Sequence, residues 1–247
     1  MMKDSEKLVV CIGRGAQKEA AIALAKRVGA PVSESPGEYL TLLVDADGVA
    51  LTGYGLSYRG DFEQMLHRIS DGRLQHEMLV HVAKTKDVHP VAADATAGMG
   101  EDALLLAACG YEVTLYEQNP VIAALLKDAL RRARKHPVLG EIAGRMHLVE
   151  GNSIELLPQQ LPKPDLIYLD PMFPARKKSG LINKKLQLLQ KLEQPCMEED
   201  ALLEMALQMR PQRIIVKRPL KGAWLAGKEP GYTVKGKAIR YDCFVPS

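Results

Sequence analysis

The chain has 247 residues, of which 47% are apolar and 26% charged, with a formal net charge of +3. That balance suits a folded globular protein and excludes disordered or fibrous classes. No apolar run reaches the roughly 18 residues a membrane span needs, and no signal-peptide pattern follows Met1, so the expected compartment is the cytoplasm.

Residues 8–12 read as a short strand, and residues 19–28 as a helix closed by Gly29 and Pro31. Residues 39–44 and 49–52 flank Asp45-Ala46-Asp47-Gly48, a hairpin signal. These elements describe a small α+β N-terminal appendage over residues 1–60, ending in a glycine- and tyrosine-rich connector at 53–60. Residues 61–84 carry a helical pattern that leads into a main domain, residues 61–247.

From Pro90 onward, strand and helix patterns alternate. Strands are predicted at 91–96, 112–117, 146–150, 166–170 and 213–217, and helices at 102–109, 120–135 and 198–209. Pro120 falls in the first turn of its helix, where its missing N–H costs nothing. Residues 232–245 read as a closing antiparallel hairpin. The alternation predicts an α/β fold with a mostly parallel sheet covered by helices on both faces.

Charge is unevenly spread. Residues 171–247 hold 15 Lys/Arg against 7 Asp/Glu, a net of +8, while residues 1–90 and 91–170 stand at −1 and −4. A positive block beginning at Asp170-Pro171 suits a polyanionic substrate. Cys11, Cys109, Cys196 and Cys243 form neither a C-x-x-C pair nor a zinc spacing, which implies reduced thiols. His76 and His81 are separated by about 140° on a helix of 3.6 residues per turn, the wrong geometry for a zincin pair. No metal is expected.

In a parallel sheet, ligands bind beyond the carboxyl ends of the strands. Gly98 and Gly100 fall in the first strand-to-helix turn, where glycine lets a ligand approach the backbone. Glu117 ends the second strand, where a carboxylate can accept from ribose hydroxyls. Asn152 and Ser153 follow the third strand and are placed to meet an adenine edge. Gly98-x-Gly100-x-x-Ala103 with Glu117 also fits a relaxed dinucleotide fingerprint, which leaves an NAD-linked oxidoreductase as an alternative. Glu101 and Asp102 argue against it. Acids at a helix N-terminus repel a pyrophosphate and suit a cationic ligand such as S-adenosylmethionine.

Asp170-Pro171-Met172-Phe173 closes the apolar run Leu166-Ile167-Tyr168-Leu169. The exocyclic amine of a nucleobase is a poor nucleophile because its lone pair is delocalised into the ring. The Asp170 carboxylate and Pro171 carbonyl can hold both of its N–H groups and aim that lone pair, while Phe173 stacks on the base. Arg176, Lys177, Lys178, Lys184 and Lys185, with Lys217, Arg218 and Lys221 on a later strand end, are candidate phosphate contacts. Trp224 can stack on a base or pack against the sheet, and packing is the expectation.

Asp94-Ala-Thr-Ala-Gly-Met-Gly-Glu-Asp102, the stretch Glu117 to Leu126, and Tyr168-Leu-Asp-Pro-Met-Phe-Pro174 with the following Arg-Lys-Lys resemble the RsmJ family. These are bacterial small-subunit ribosomal RNA (guanine-N2)-methyltransferases with a Rossmann-like fold. The resemblance implies S-adenosylmethionine as cofactor, with contacts at Glu101, Asp102, Glu117, Gln118, Asn152, Ser153 and Asp170. It also implies small-subunit ribosomal RNA, or the subunit itself, as the partner. A non-catalytic RNA-binding assembly factor, or methylation of DNA or protein amines, would use the same residues differently.

Overall fold

A computed structural model describes residues 8–36, 40–171, 188, 189, 192 and 198–246. Two sheets organise them. The first is five-stranded, in the order β2-β1-β3-β4-β5, with β1 Val9–Ile12, β2 Val32–Ser33, β3 Thr41–Asp45, β4 Gly48–Gly53 and β5 Leu56–Tyr58. Helix α1, Lys18–Val28, buries Ala21, Leu24 and Ala25 in the core of this unit and ends on Gly29 in the left-handed region, as the glycine suggested. Strand β5 lies inside the stretch read as a connector. Tyr54 (φ 52°) and Gly55 (φ 73°) form a two-residue turn with both φ positive, which returns the chain onto β4.

The helical pattern at 61–84 does not yield one helix. It breaks into 3-10 turns at Glu63–Met65 and Leu74–His76, α2 Leu66–Ile69 and α3 Met78–Ala83. Extended backbone at Ser70 and positive φ at Gly72 interrupt it. Phe62, Met65, Leu79, Val82 and Ala83 are nevertheless buried in the main core, which explains the apolar periodicity.

The second sheet has seven strands: β6 Val91–Asp94, β7 Glu112–Glu117, β8 Met146–Glu150, β9 Leu166–Leu169, β10 Arg213–Pro219, β11 Tyr232–Lys235 and β12 Ile239–Phe244. Their order is β11-β12-β10-β9-β6-β7-β8, parallel from β10 through β8, with β12 and β11 antiparallel at one edge. Chain order reverses between β6 and β9, so the ligand crevice of an open α/β sheet lies beyond their C-terminal ends.

Between β6 and β7 runs α4, Glu101–Ala108, and after β7 runs α5, Pro120–Ala133. Asn119 caps α5 by accepting from the N–H groups of Val121 and Ile122. One face of α5, with Leu126, Ala129, Leu130 and Ala133, enters the main core. Another, with Val121, Ile122, Ala124 and Leu125, enters the core of the five-stranded unit. The helix is apolar on most of its circumference because it is covered from two directions. Its one buried acid, Asp128, pairs with Arg131 (2.7 Å) and Arg132 (2.9 Å). A short helix, α6 Leu139–Gly144, was not read from the sequence. Among the described residues no helix is long and apolar enough to cross a membrane, and no group of three His, Cys, Asp or Glu converges as a metal site. Cys11, Cys109 and Cys243 are free thiols, and Cys196 lies outside the described residues.

Candidate active site

Four strand ends build the crevice. After β6 the turn 95–100 is bonded to both neighbouring strands: Ala95 N–H donates to Tyr168 O (3.0 Å) and Ala97 N–H to Tyr116 O (3.0 Å). Gly98 has φ +52° and nothing within 4 Å of where a Cβ would stand, so its backbone is open to approach. Gly100 has φ +76° for a different reason. A Cβ there would come within 2.9 Å of Leu126 and 3.2 Å of Leu115, so this glycine lets α5 pack closely.

Glu117 ends β7 at 9% exposure. Its Oε2 accepts from Gly98 N–H (2.9 Å) and its Oε1 from Asn119 N–H (2.7 Å). The carboxylate therefore ties the glycine turn to the start of α5. A carboxylate offers about four acceptor sites, the capacity a ribose diol needs beside two backbone donors. We expect Glu117→Ala to weaken S-adenosylmethionine binding by about 1–3 kcal/mol, the scale of hydrogen bonds to a charged group. Calorimetry on the folded variant checks this, and an unchanged affinity would remove Glu117 from the site.

At the end of β9, Asp170 donates its N–H to Thr96 Oγ1 (2.6 Å), and its Oδ2 lies 2.8 Å from Lys217 Nζ. Lys217 also contacts Asp102 Oδ2 (2.7 Å), which accepts from Tyr168 Oη (2.7 Å). Burial raises the Asp170 pKa from its ordinary value, and the Lys217 ammonium opposes that rise. Burial alone would lower Lys217, but Asp102 and Asp170 outweigh it and hold its pKa above the ordinary lysine value. Burial, reinforced by Asp102 and Asp170, keeps Tyr168 a neutral phenol. Asp94, 1% exposed, is pushed up to about 8 by burial, against the Thr96 N–H that it accepts.

Among the described residues, Asp102, Glu117 and Asp170 stand at these strand ends, and the Lys217 ammonium lies between Asp102 and Asp170. Carboxylates outnumber cations among the described residues there. That fits a ligand carrying a sulfonium and an ammonium, and it opposes a pyrophosphate.

The remaining candidates are distributed as follows. Pro171 is buried beside Asp170. Glu101 and Gln118 are exposed at the starts of α4 and the β7–α5 turn. Asn152 uses Oδ1 to cap the short helix α7, Ser153–Leu156, by accepting from Ile154 N–H (3.0 Å), and Ser153 is buried. Lys217 and Arg218 do not stand as surface phosphate contacts. Lys217 lies between two carboxylates, and Arg218, 4% exposed, donates to Ala223 O (2.8 Å) and pairs with Glu199 (3.3 Å). Trp224 does not pack fully against the sheet but keeps 41% exposure. Phe173, Arg176, Lys177, Lys178, Lys184 and Lys185 lie outside the described residues. Sequence reasoning missed Thr96 and Tyr168 as parts of the site. Their signal was present, since both stand within two residues of a strand-end acid.

Similarity to known proteins agrees with this geometry. A family model described as "Putative SAM-dependent methyltransferase" matches residues 41–246. The chain is 40% identical over 237 residues to "Ribosomal RNA small subunit methyltransferase J" of Pseudomonas savastanoi pv. phaseolicola, covering 93% of this chain and 88% of the relative. A protein of the same name from Thioalkalivibrio sulfidiphilus is 38% identical over 238 residues, covering 92% and 93%. The crystal structure of a SAM-dependent methyltransferase from Neisseria gonorrhoeae superposes with a TM-score of 0.76 at 33% identity, covering 96% of each chain. A Rossmann-like sheet with its strand-end acids at the switch point, and relatives alike over nearly their whole length, establish that this chain belongs to the S-adenosylmethionine-dependent methyltransferases of the ribosomal RNA small subunit methyltransferase J family.

Proposed function

We propose that this methyltransferase acts on the exocyclic N2 amine of a guanosine in small-subunit (16S) ribosomal RNA. It would meet the RNA, free or within the small subunit, in the cytoplasm. The observation that carries the reading is Asp170, an acid at the switch point held by Thr96 from β6's turn and Lys217 from β10. In this reading residues 61–247 carry the chemistry and residues 1–60 are an appendage to it.

When bound, S-adenosylmethionine supplies an electrophilic methyl on a sulfonium that departs as a neutral thioether. The protein's part is alignment. The Asp170 carboxylate and the Pro171 carbonyl accept the two N–H groups of the amine and rotate its lone pair out of conjugation, toward the methyl. As the new N–C bond forms, the amine nitrogen becomes acidic, and its proton passes to Asp170 or to water beside it. Glu117 and the Gly98 turn hold the cofactor's ribose side, and Asp102 presents negative charge to its cationic end.

The basic stretch Arg176, Lys177, Lys178, Lys184 and Lys185 directly follows the Asp-Pro corner in sequence and suits phosphate contacts. The family sets the NAD-linked alternative aside. The test compares small-subunit RNA nucleosides by mass spectrometry from cells with and without the gene. It is paired with transfer of labelled methyl by purified protein to naked RNA and to intact subunits. Loss of one N2-methylguanosine and its restoration by the protein supports the reading. An unchanged nucleoside profile, with no transfer to either substrate, overturns it.

A further inference from the structure

The segment following β10 is ordered by an unusual investment of buried charge. Arg240, on β12 and only 5% exposed, donates through Nη1 to the carbonyls of Pro219 (3.0 Å), Leu220 (3.0 Å) and Gly222 (2.8 Å). Its Nη2 reaches Ala223 O (3.4 Å), and Nε and Nη2 both engage Asp242 (2.9 Å each). Arg218 adds a second donor to Ala223 O (2.8 Å). Within the turn, Gly222 N–H donates to Pro219 O (2.8 Å). Leu225, 1% exposed, anchors the far end among Leu202, Leu203, Met205 and Ala206. Burying a guanidinium is tolerable only when its donors are satisfied, and Arg240 satisfies them mainly on one surface turn.

What that rigid turn presents is chemically specific. Trp224 is the chain's single tryptophan, and it keeps 41% of its surface exposed while its neighbour Leu225 is buried. Lys221 and Lys228 flank it, both exposed, and no acid occurs from 219 to 228; Glu229 follows. The turn follows β10, two residues beyond Lys217, on the side of the strand that Arg218 faces, at the C-terminal end of the sheet where the crevice opens. An exposed indole on an ordered turn, with a lysine on either side in sequence, matches what an unpaired nucleotide requires: a stacking plane and phosphate neutralisation.

We propose that residues 219–228 form an RNA platform, with the Trp224 indole stacking on an unpaired base near the target guanosine and Lys221 and Lys228 receiving adjacent phosphates. The inference rests on the reading of the substrate as RNA, and names how that substrate is held. Because the chain has one tryptophan, its emission reports on this position alone. Full-length protein titrated with a short unstructured oligoadenylate, and then with transcribed small-subunit RNA, should show emission quenched in step with binding followed by anisotropy of labelled RNA. Trp224→Ala should weaken oligoadenylate binding by roughly 5- to 150-fold, the worth of one base–aromatic stack. Trp224→Phe should retain most of the affinity. The double variant Lys221→Ala, Lys228→Ala should flatten the dependence of log affinity on log salt by about 1.4, the value for two single-strand phosphates.

Saturated binding with unchanged emission, together with wild-type affinity for Trp224→Ala at an unchanged melting temperature, would overturn the platform. So would emission that responds to the intact subunit but to no RNA, which would assign the indole to a ribosomal protein. Methyl transfer to small-subunit RNA is scored separately. Wild-type transfer rates in a Trp224→Ala protein with unchanged KM would refute the platform and leave the proposed activity standing.

Discussion

Asp170→Asn should lower single-turnover methyl transfer to small-subunit RNA by at least about 10²-fold, roughly 2.7 kcal/mol of barrier. The substitution keeps the side chain's shape and replaces one acceptor oxygen with an N–H donor. Asp170 already meets a donor on Oδ2, the Lys217 ammonium at 2.8 Å. In the proposed alignment its other oxygen meets the amine of the base. Whichever way the new amide turns, a donor then faces a donor. The backbone anchor to Thr96 (2.6 Å) survives, so the strand end should keep its place and the variant should fold. RNA affinity should change little, because phosphate contacts dominate it. In wild type, transfer requires the ionised carboxylate, whose pKa burial raises. The rate should therefore fall as pH drops through that raised value. Near-normal single-turnover rates in folded Asp170→Asn protein would make the Asp-Pro corner a structural turn and nothing more.

Lys217→Met should cost at least about 10-fold in transfer at neutral pH, roughly 1.4 kcal/mol, and the pH profile should show why. Asp94, Asp102, Tyr168, Arg218 and Tyr241 all bear on this cluster, and Lys217 is its principal opposing charge. Without it, burial raises the Asp170 pKa further, with Arg218 left as the weaker opposing charge, since a nearby cation is what favours the ionised form. The acid limb of the rate profile should move to higher pH. Affinity for cationic S-adenosylmethionine should hold or rise, because the crevice becomes more anionic. The salt dependence of RNA binding should stay at the wild-type slope, because Lys217 faces carboxylates (2.7 and 2.8 Å) rather than solvent. Lys217→Arg, which restores the charge in another shape, should bring the limb back while recovering only part of the rate. An unmoved acid limb in Lys217→Met, or a salt slope reduced by about one unit, would return Lys217 to the role of a phosphate contact.

Much of the fold was legible because local chemistry and global architecture agree. Strand periodicity followed by a strand-end acid marked β6, β7 and β9, and Asn119-Pro120 marked the start of α5. Asp45 to Gly48 marked a hairpin that the structure contains. The continuous pattern at 61–84 misled because apolar spacing reports burial, while Ser70 and Gly72 decide whether one helix can run through it.

Local sequence accounts for the alternation of strands and helices, the acids at the strand ends and the glycine turn between them, since each follows from neighbours a few residues apart. What Lys217 and Arg218 contact depends on strand pairing far from them along the chain. In sequence Lys217-Arg218 is a basic pair of the kind that meets phosphate. Parallel register places Val216 beside Leu169, and so sets Lys217 next to Asp170. The period of two in a strand turns Arg218 to the opposite face, where Glu199 and Ala223 receive it. Arg240 reaches the carbonyls of Pro219, Leu220, Gly222 and Ala223 only because β12 returns antiparallel to β10, pairing Arg240 with Arg218. Charges and rings acquire their roles from partners that lie far away along the chain, and those partners are set by strand pairing rather than by local sequence.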